Sequence, residues 1–128
     1  MVTLLSVLGL GACATAPGAP DPAAPSRLMN RVWRVDRPAG RAPGSFYVFL
    51  ADGTLLMSSC VETYRLATWR VAGDDRLVVT EDPAVSYGVR VLAVGEREAR
   101  LRLELVRETV DLELRAATAP FVCPGLPR

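Results

Sequence analysis

The sequence contains no histidine, lysine, isoleucine or glutamine, and its only asparagine is Asn30. Without histidine the chain has no imidazole for a Ser-His or Cys-His catalytic pair and none for a metal site. Without lysine it cannot form a Schiff base. All 15 basic residues are arginines, which we attribute to codon bias in a GC-rich genome. Most hydrolase and many metalloenzyme mechanisms are therefore excluded, and we expect no enzyme, no catalytic residue, no metal and no cofactor.

An excess of charge of one sign is also missing. The 15 basic residues are balanced by 14 acidic ones, and no basic stripe marks a surface for nucleic acid. The acidic pairs Asp74-Asp75 and Glu81-Asp82 suggest a cation site, but both occur at turns. Aspartate is common there because its carboxylate accepts hydrogen bonds from the local backbone. We therefore interpret both pairs as turn residues and expect no nucleic-acid partner.

Charged residues are absent from Val2 to Ala12, where leucine and valine dominate. This run is shorter than the roughly 20 apolar residues that cross a bilayer, and it has the length of the apolar region of a signal peptide. It ends in Leu10-Gly11-Ala12-Cys13, which resembles the lipobox of bacterial lipoproteins. The resemblance implies a signal peptide at residues 1–12, a lipidated Cys13, and an outer-membrane lipoprotein of the cell envelope that faces the periplasm.

Residues 13–26 are rich in proline, alanine and glycine, with prolines at positions 17, 20, 22 and 25. Such segments are extended and poorly ordered, so we predict a tether between the membrane and a domain at residues 27–128. With Cys13 lipidated, Cys60 and Cys123 remain as an even pair in an oxidising compartment. We predict a disulfide between them. The alternative is a free, reactive thiol at Cys60.

From Arg31 onward apolar and polar residues alternate, and turn residues recur roughly every 8 to 12 positions. The pattern predicts an all-β domain without a helix. Its clearest hairpin has Asp52-Gly53 between strands at Phe46–Leu50 and Thr54–Ser58, because glycine accepts the positive φ of such turns. About eight antiparallel strands would close into one small meander barrel, which leaves no exposed edge.

Alternation also assigns side chains to faces of the strands. In the last two strands leucines alternate with charged residues, and Arg102 faces either Asp111 or Glu113, depending on register. The pattern also predicts one shared face in each of two earlier strands. In the first strand this face carries Arg65, Ala67, Trp69 and Val71. In the second it carries Val85, Tyr87, Val89, Val91 and Ala93.

Several segments resemble a known class of domain. They are Trp33-Arg34-Val35, Phe46–Leu55, Tyr64, Trp69–Leu77 and the leucine-rich final hairpin. Together they resemble the small lipocalin-like and META-type domains of bacterial envelope lipoproteins. The resemblance implies a β-barrel. The two families differ in strand order, so it leaves the order of the strands open.

Two interpretations of the barrel interior remain. The aromatic residues Trp33, Tyr47, Phe49 and Trp69 either line a cup for an apolar ligand or fill the barrel. Arg65, on the face of Trp69, either pairs with a ligand carboxylate or phosphate or lies in solvent at the barrel mouth.

We expect a non-enzymatic protein, held at the membrane by its acyl anchor, that binds a small apolar or amphipathic molecule or supports envelope maintenance. The alternative is a solid barrel that acts as a protein-interaction module or as an inhibitor of an envelope enzyme. Its partner would then be an envelope protein.

Overall fold

A computed structural model describes residues 22–39, 41–118 and 122–123. The predicted signal peptide, the predicted lipidation site Cys13 and most of the predicted tether lie outside the described residues. The described part contains one helix, α1 (Ala24–Leu28), followed by eight strands. These are β1 (Val32–Arg37), β2 (Phe46–Phe49), β3 (Thr54–Ser58), β4 (Arg65–Gly73), β5 (Arg76–Asp82), β6 (Val85–Val94), β7 (Glu98–Glu104) and β8 (Thr109–Ala116).

The eight strands form a closed barrel in sequence order, and every neighbouring pair is antiparallel. Closure is made between β1 and β8, where Trp33 pairs with Ala116 and Val35 with Leu114. The all-β meander barrel predicted from the alternation is therefore confirmed. Because β1 and β8 pair with each other, the barrel presents no open sheet edge to another chain.

The inward side chains of the strands form one hydrophobic core. The largest fully buried side chains are Trp33, Phe49, Leu28, Leu55, Leu77, Leu101, Leu112 and Val79. No polar or charged residue is buried in the described part of the chain. Charged side chains lie outside, where Arg102 donates two hydrogen bonds to Asp111 at 2.7 and 2.8 Å. The register of β7 with β8 thus selects Asp111 rather than Glu113 as the partner of Arg102.

Helix α1 covers one end of the barrel. Leu28 is fully buried, and its carbonyl accepts a hydrogen bond of 2.9 Å from the Trp33 indole. Arg27 donates to the carbonyl of Val94 at the end of β6. The sequence predicted no helix, and residues 24–26 were assigned to the tether. The helix has only five residues, with a proline in its first turn, so its periodic pattern is too short to detect. Contacts with the barrel, rather than local propensity, hold it in place.

Three side chains that alternation groups with inward-facing residues are exposed. Val71, Val85 and Ala93 are exposed, although their patterns group them with buried neighbours. β-bulges or register shifts occur at Val71/Gly73, Thr80/Asp82 and Val91/Ala93. At Val91/Ala93 the extra residue brings Ala93 opposite the exposed Arg100, so the alternation of faces breaks there. Val71 still pairs with Leu77, and Val85 is the first residue of β6, so these two are exposed near the ends of their strands.

The two ends of the barrel differ. We call the end covered by α1 the helix end, and the opposite end, formed by the loops that connect β1 to β2 and β3 to β4 and by two tighter turns, the mouth. The predicted disulfide between Cys60 and Cys123 is present, with an S–S distance of 2.07 Å. Cys60 lies at the mouth, whereas Ala117, just after β8, bonds to Val32 at the helix end. No helix in the described ranges is long and apolar enough to cross a bilayer.

Candidate functional site

The five residues proposed on sequence for ligand binding are distributed over three places. Trp33 and Phe49 lie in the core, where 0 % and 2 % of their surfaces are exposed. Trp69 packs edge-on against Phe49, with ring centroids 5.6 Å apart, and its indole donates to the carbonyl of Leu50 near the helix end. Tyr47 and Arg65 are the two that the fold brings together, at the mouth.

The interior of the barrel is filled by side chains. Leu55, Leu77, Leu101 and Leu112 each expose 1 % of their surface. A void of ligand size would leave the side chains that line it uncovered on one side, and these are covered on all sides. An eight-stranded barrel is just wide enough for side chains to fill it, and leucine, valine and two indoles do so here. This region offers no room for a bound molecule.

Above this core, at the mouth, lies a pocket of about 230 Å³. Its walls come from two loops and the strands beside them, and the side chains that matter to its chemistry are Arg41, Ser45, Tyr47, Met57, Glu62 and Arg65. Met57 and the Tyr47 ring belong to the core and form an apolar floor. The rim is polar. The pocket is smaller and more polar than most small-molecule sites, so it suits a small ligand with a polar or charged group.

Polar contacts at the mouth involve two arginines in different ways. Arg41 Nη1 donates to the Tyr47 hydroxyl at 3.4 Å. Arg65 Nη1 donates to Glu81 Oε2 at 3.3 Å, so its charge is already paired. Arg65 is exposed, in agreement with the interpretation that placed it in solvent at the mouth. Arg41 is the residue that sequence reasoning missed, because a single arginine in a Pro/Gly loop carries no periodic signal.

A second hydrogen bond to Glu81 comes from the barrel interior. The Tyr87 hydroxyl donates to Glu81 Oε1 at 2.8 Å. Burial, and then the hydrogen bond to Glu81, raises the pKa of the Tyr87 phenol well above its usual value. The Tyr87 phenol therefore stays neutral and donates its proton to the hydrogen bond with Glu81. Its role at the mouth is to hold the Glu81 carboxylate in place beside Arg65.

The disulfide lies at the junction of the two loops that wall the pocket. Cys60 belongs to the loop between β3 and β4, which contributes Glu62 to the pocket wall. Its backbone N–H donates to the carbonyl of Pro43, in the loop that contributes Arg41, at 2.9 Å. Cys123 is exposed. The covalent link to Cys123 therefore restrains the region where the two walls meet.

A larger depression, of about 530 Å³, lies at the helix end beside Asn30, Arg31 and Arg97. Arg31 already donates to the carbonyl of Glu96, and its guanidinium lies 6.0 Å from the centroid of the Trp33 ring. This end also carries the chain towards Cys13. We therefore take the mouth pocket as the candidate site. Within the described ranges, no three cysteine, aspartate or glutamate side chains are grouped so that they could hold a metal ion.

Comparison with known proteins supplies no family for the chain: no protein family, curated protein or solved structure matches it.

Proposed function

We propose that this protein is a lipid-anchored, non-enzymatic protein of the cell envelope that binds a small amphipathic molecule at the barrel mouth. The observation that carries this proposal is the contrast between the two regions of the barrel. Its interior is filled, whereas at the mouth Tyr47 and Met57 of the core line a pocket together with two arginines. The sequence placed the ligand in the interior, and the packing favours the mouth instead.

The anchor part of the proposal rests on Leu10–Cys13 and the proline-rich residues after it. The described chain starts at Pro22, just before α1, so the tether would join the barrel at the helix end. Nine residue steps separate Cys13 from Pro22, which limits their reach to about 30 Å. With the acyl chains in the outer membrane, this geometry would direct the mouth away from the membrane and towards soluble molecules in the periplasm.

A second function, as a protein-interaction module or an inhibitor of an envelope enzyme, is favoured by the outer face of β4. Leu66 in this strand and Tyr64, just before it, expose 57 % and 66 % of their surfaces. Leu66 pairs in register with Leu56, and Leu56 with Val48, so apolar side chains continue across three strands. Large exposed apolar groups that adjoin one another are typical of protein contacts.

One experiment tests both parts of the proposal. The full-length protein and its Cys13→Ser variant are expressed, and cell membranes are separated from soluble extract. We expect the wild-type protein in the membrane fraction, with a denatured mass increased by acyl chains, since two or three chains hold a protein stably. The Cys13→Ser variant is expected in the soluble extract and still folded. Membrane retention of that variant would overturn the anchor.

Native mass spectra of the same two samples test the binding. We expect both to carry a small adduct that leaves on denaturation, because the mouth is distant from residue 13. Two results together would instead establish the second function. The folded protein would carry no adduct, and a photoreactive residue at position 66 would cross-link it to an envelope protein. Cross-linking from exposed position 107 is the control for chance encounters at the surface.

A further inference from the structure

We infer that the mouth pocket recognises a small organic monocarboxylate, with Arg41 and Tyr47 as the two donors to its oxygens. The inference deepens the proposed function, since it rests on the ligand binding at the mouth. It is carried by the way hydrogen-bond donors and acceptors are distributed around this pocket.

The Tyr47 hydroxyl is a donor without an acceptor in the described part of the chain. It accepts a hydrogen bond from Arg41 Nη1 at 3.4 Å, which orients its lone pairs and leaves its proton unused. Only 8 % of the Tyr47 surface is exposed. A hydroxyl at the edge of a core normally finds a partner, and a ligand oxygen above it would supply one.

Arg41 has no carboxylate partner among the described residues, and its guanidinium is free to make further hydrogen bonds at the pocket. Two other donors of the pocket are already engaged. Arg65 is paired with Glu81, and the Ser45 hydroxyl donates to the carbonyl of Ala42 at 2.7 Å. The Arg41 guanidinium and the Tyr47 phenol lie side by side, and both can donate. They therefore suit a ligand group that only accepts hydrogen bonds. A carboxylate is such a group, and guanidinium binds it with charge-assisted hydrogen bonds.

The neighbouring acid favours a ligand with a single negative charge. Glu62 lies in the pocket wall, and its carboxylate accepts a hydrogen bond from the Ser59 hydroxyl at 3.3 Å. A dianion would be repelled by Glu62 while gaining attraction from only one unpaired arginine. The Glu62 carboxylate therefore disfavours phosphate monoesters and dicarboxylates relative to a monocarboxylate.

The size of the pocket limits the apolar part of the ligand. About 230 Å³ is available above Met57 and the Tyr47 ring. Beneath them Phe49 and Leu55 are packed, with 2 % and 1 % of their surfaces exposed, so a long acyl chain has nowhere to extend. One aromatic ring or a short branched chain fits this space. Benzoate is thus a suitable probe, with benzamide and benzylamine as neutral and cationic equivalents of nearly the same shape.

The test is a titration of isotope-labelled, full-length protein in detergent micelles, followed by amide NMR shifts. We expect benzoate to shift the amides of Ser45, Tyr47 and Thr63 and leave those of Leu101 and Leu112 unchanged. Arg41→Gln is expected to weaken benzoate about tenfold or more, as the loss of a charge-assisted hydrogen bond predicts. Tyr47→Phe should weaken it severalfold. Arg107→Gln removes a charge from the same end of the barrel, outside the pocket, and should have no effect.

The outcomes separate the inference from the proposed function. Equal or tighter binding of benzamide or benzylamine at the same amides would overturn the monocarboxylate and leave binding at the mouth intact. Tighter binding of inorganic phosphate or succinate would overturn the inference that the ligand carries a single negative charge. If no probe shifts the mouth amides, both the ligand class and the proposed function fail. If Arg107→Gln weakens benzoate as much as Arg41→Gln does, the effect is general electrostatics and the assigned donors are wrong.

Discussion

Replacing Cys60 by serine is expected to lower the free energy of unfolding by about 4 kcal/mol. The disulfide joins residues 63 positions apart, and in the chain-entropy description a loop of that length removes about this much disorder from the unfolded chain. A small domain with a total stability of roughly 5–15 kcal/mol would lose a large part of it. The measurement is denaturation of the full-length protein by guanidinium chloride without reductant, followed by tryptophan fluorescence.

The matched control for Cys60→Ser is Cys123→Ser, which breaks the same bond from the other side. Both single variants and the double variant should lose the same free energy, and a reducing agent should destabilise the wild-type protein but none of the variants. A loss below 1 kcal/mol in Cys60→Ser would contradict the stabilising role of the bond. If the double variant loses the sum of the free energies lost by the two single variants, each cysteine acts separately and not through a shared bond.

The position of Cys60 predicts a second effect of the same substitution. Its N–H bonds to Pro43 across the two loops of the mouth pocket, and the disulfide restrains that contact. Without the bond the walls that carry Arg41 and Glu62 are freer to separate. We therefore expect Cys60→Ser to weaken benzoate under conditions where the domain is still folded. The core amides of Leu101 and Leu112 report whether it is.

Replacing Trp33 by alanine is expected to cost about 3–5 kcal/mol, the usual range for removing a large aromatic side chain from a core. Trp33 is fully buried, and its indole donates to Leu28 at the end of α1. The substitution thus leaves a cavity and removes the contact that holds the helix over the barrel. Denaturation of the full-length protein, followed by the remaining Trp69, measures the loss.

The same substitution distinguishes a filled interior from a ligand cup. If the interior were an open cup, truncating Trp33 would enlarge an existing space and cost little. Leu66→Ala is the control, because Leu66 is exposed on the outer face and should change stability by no more than about 0.5 kcal/mol. A loss below 1 kcal/mol for Trp33→Ala would contradict the packed core.

The strands were predictable because strict alternation survives wherever the sheet is regular. Asp52-Gly53 could be identified as a turn for local reasons. Gly53 has a φ of 88°, and the Asp52 carboxylate accepts a hydrogen bond of 2.9 Å from the Thr54 N–H. Both the backbone angle and this hydrogen bond depend only on residues within the turn. The long alternating segments of β7 and β8 were equally clear, since their leucines all point to one core.

Other features depend on contacts between distant residues, which no local pattern carries. Helix α1 requires Trp33 and Val94 as partners, and the exposure of Ala93 requires a bulge at Val91/Ala93 that the local sequence does not mark. Sequence alternation could place Tyr47 and Arg65 in the barrel. It could not place Arg41 beside Tyr47, because the loop between β1 and β2 has no period to extrapolate.

The central claim is that a ligand binds above the core, at the mouth, and not inside the barrel. The most direct test is to measure nuclear Overhauser effects between the ring protons of bound benzoate and labelled methyl groups of the full-length protein. If the ligand binds at the mouth, we expect contacts to the Met57 methyl, which lines the pocket, and none to Leu101 or Leu112. Contacts to those two leucines would place the ligand within the barrel and contradict the account.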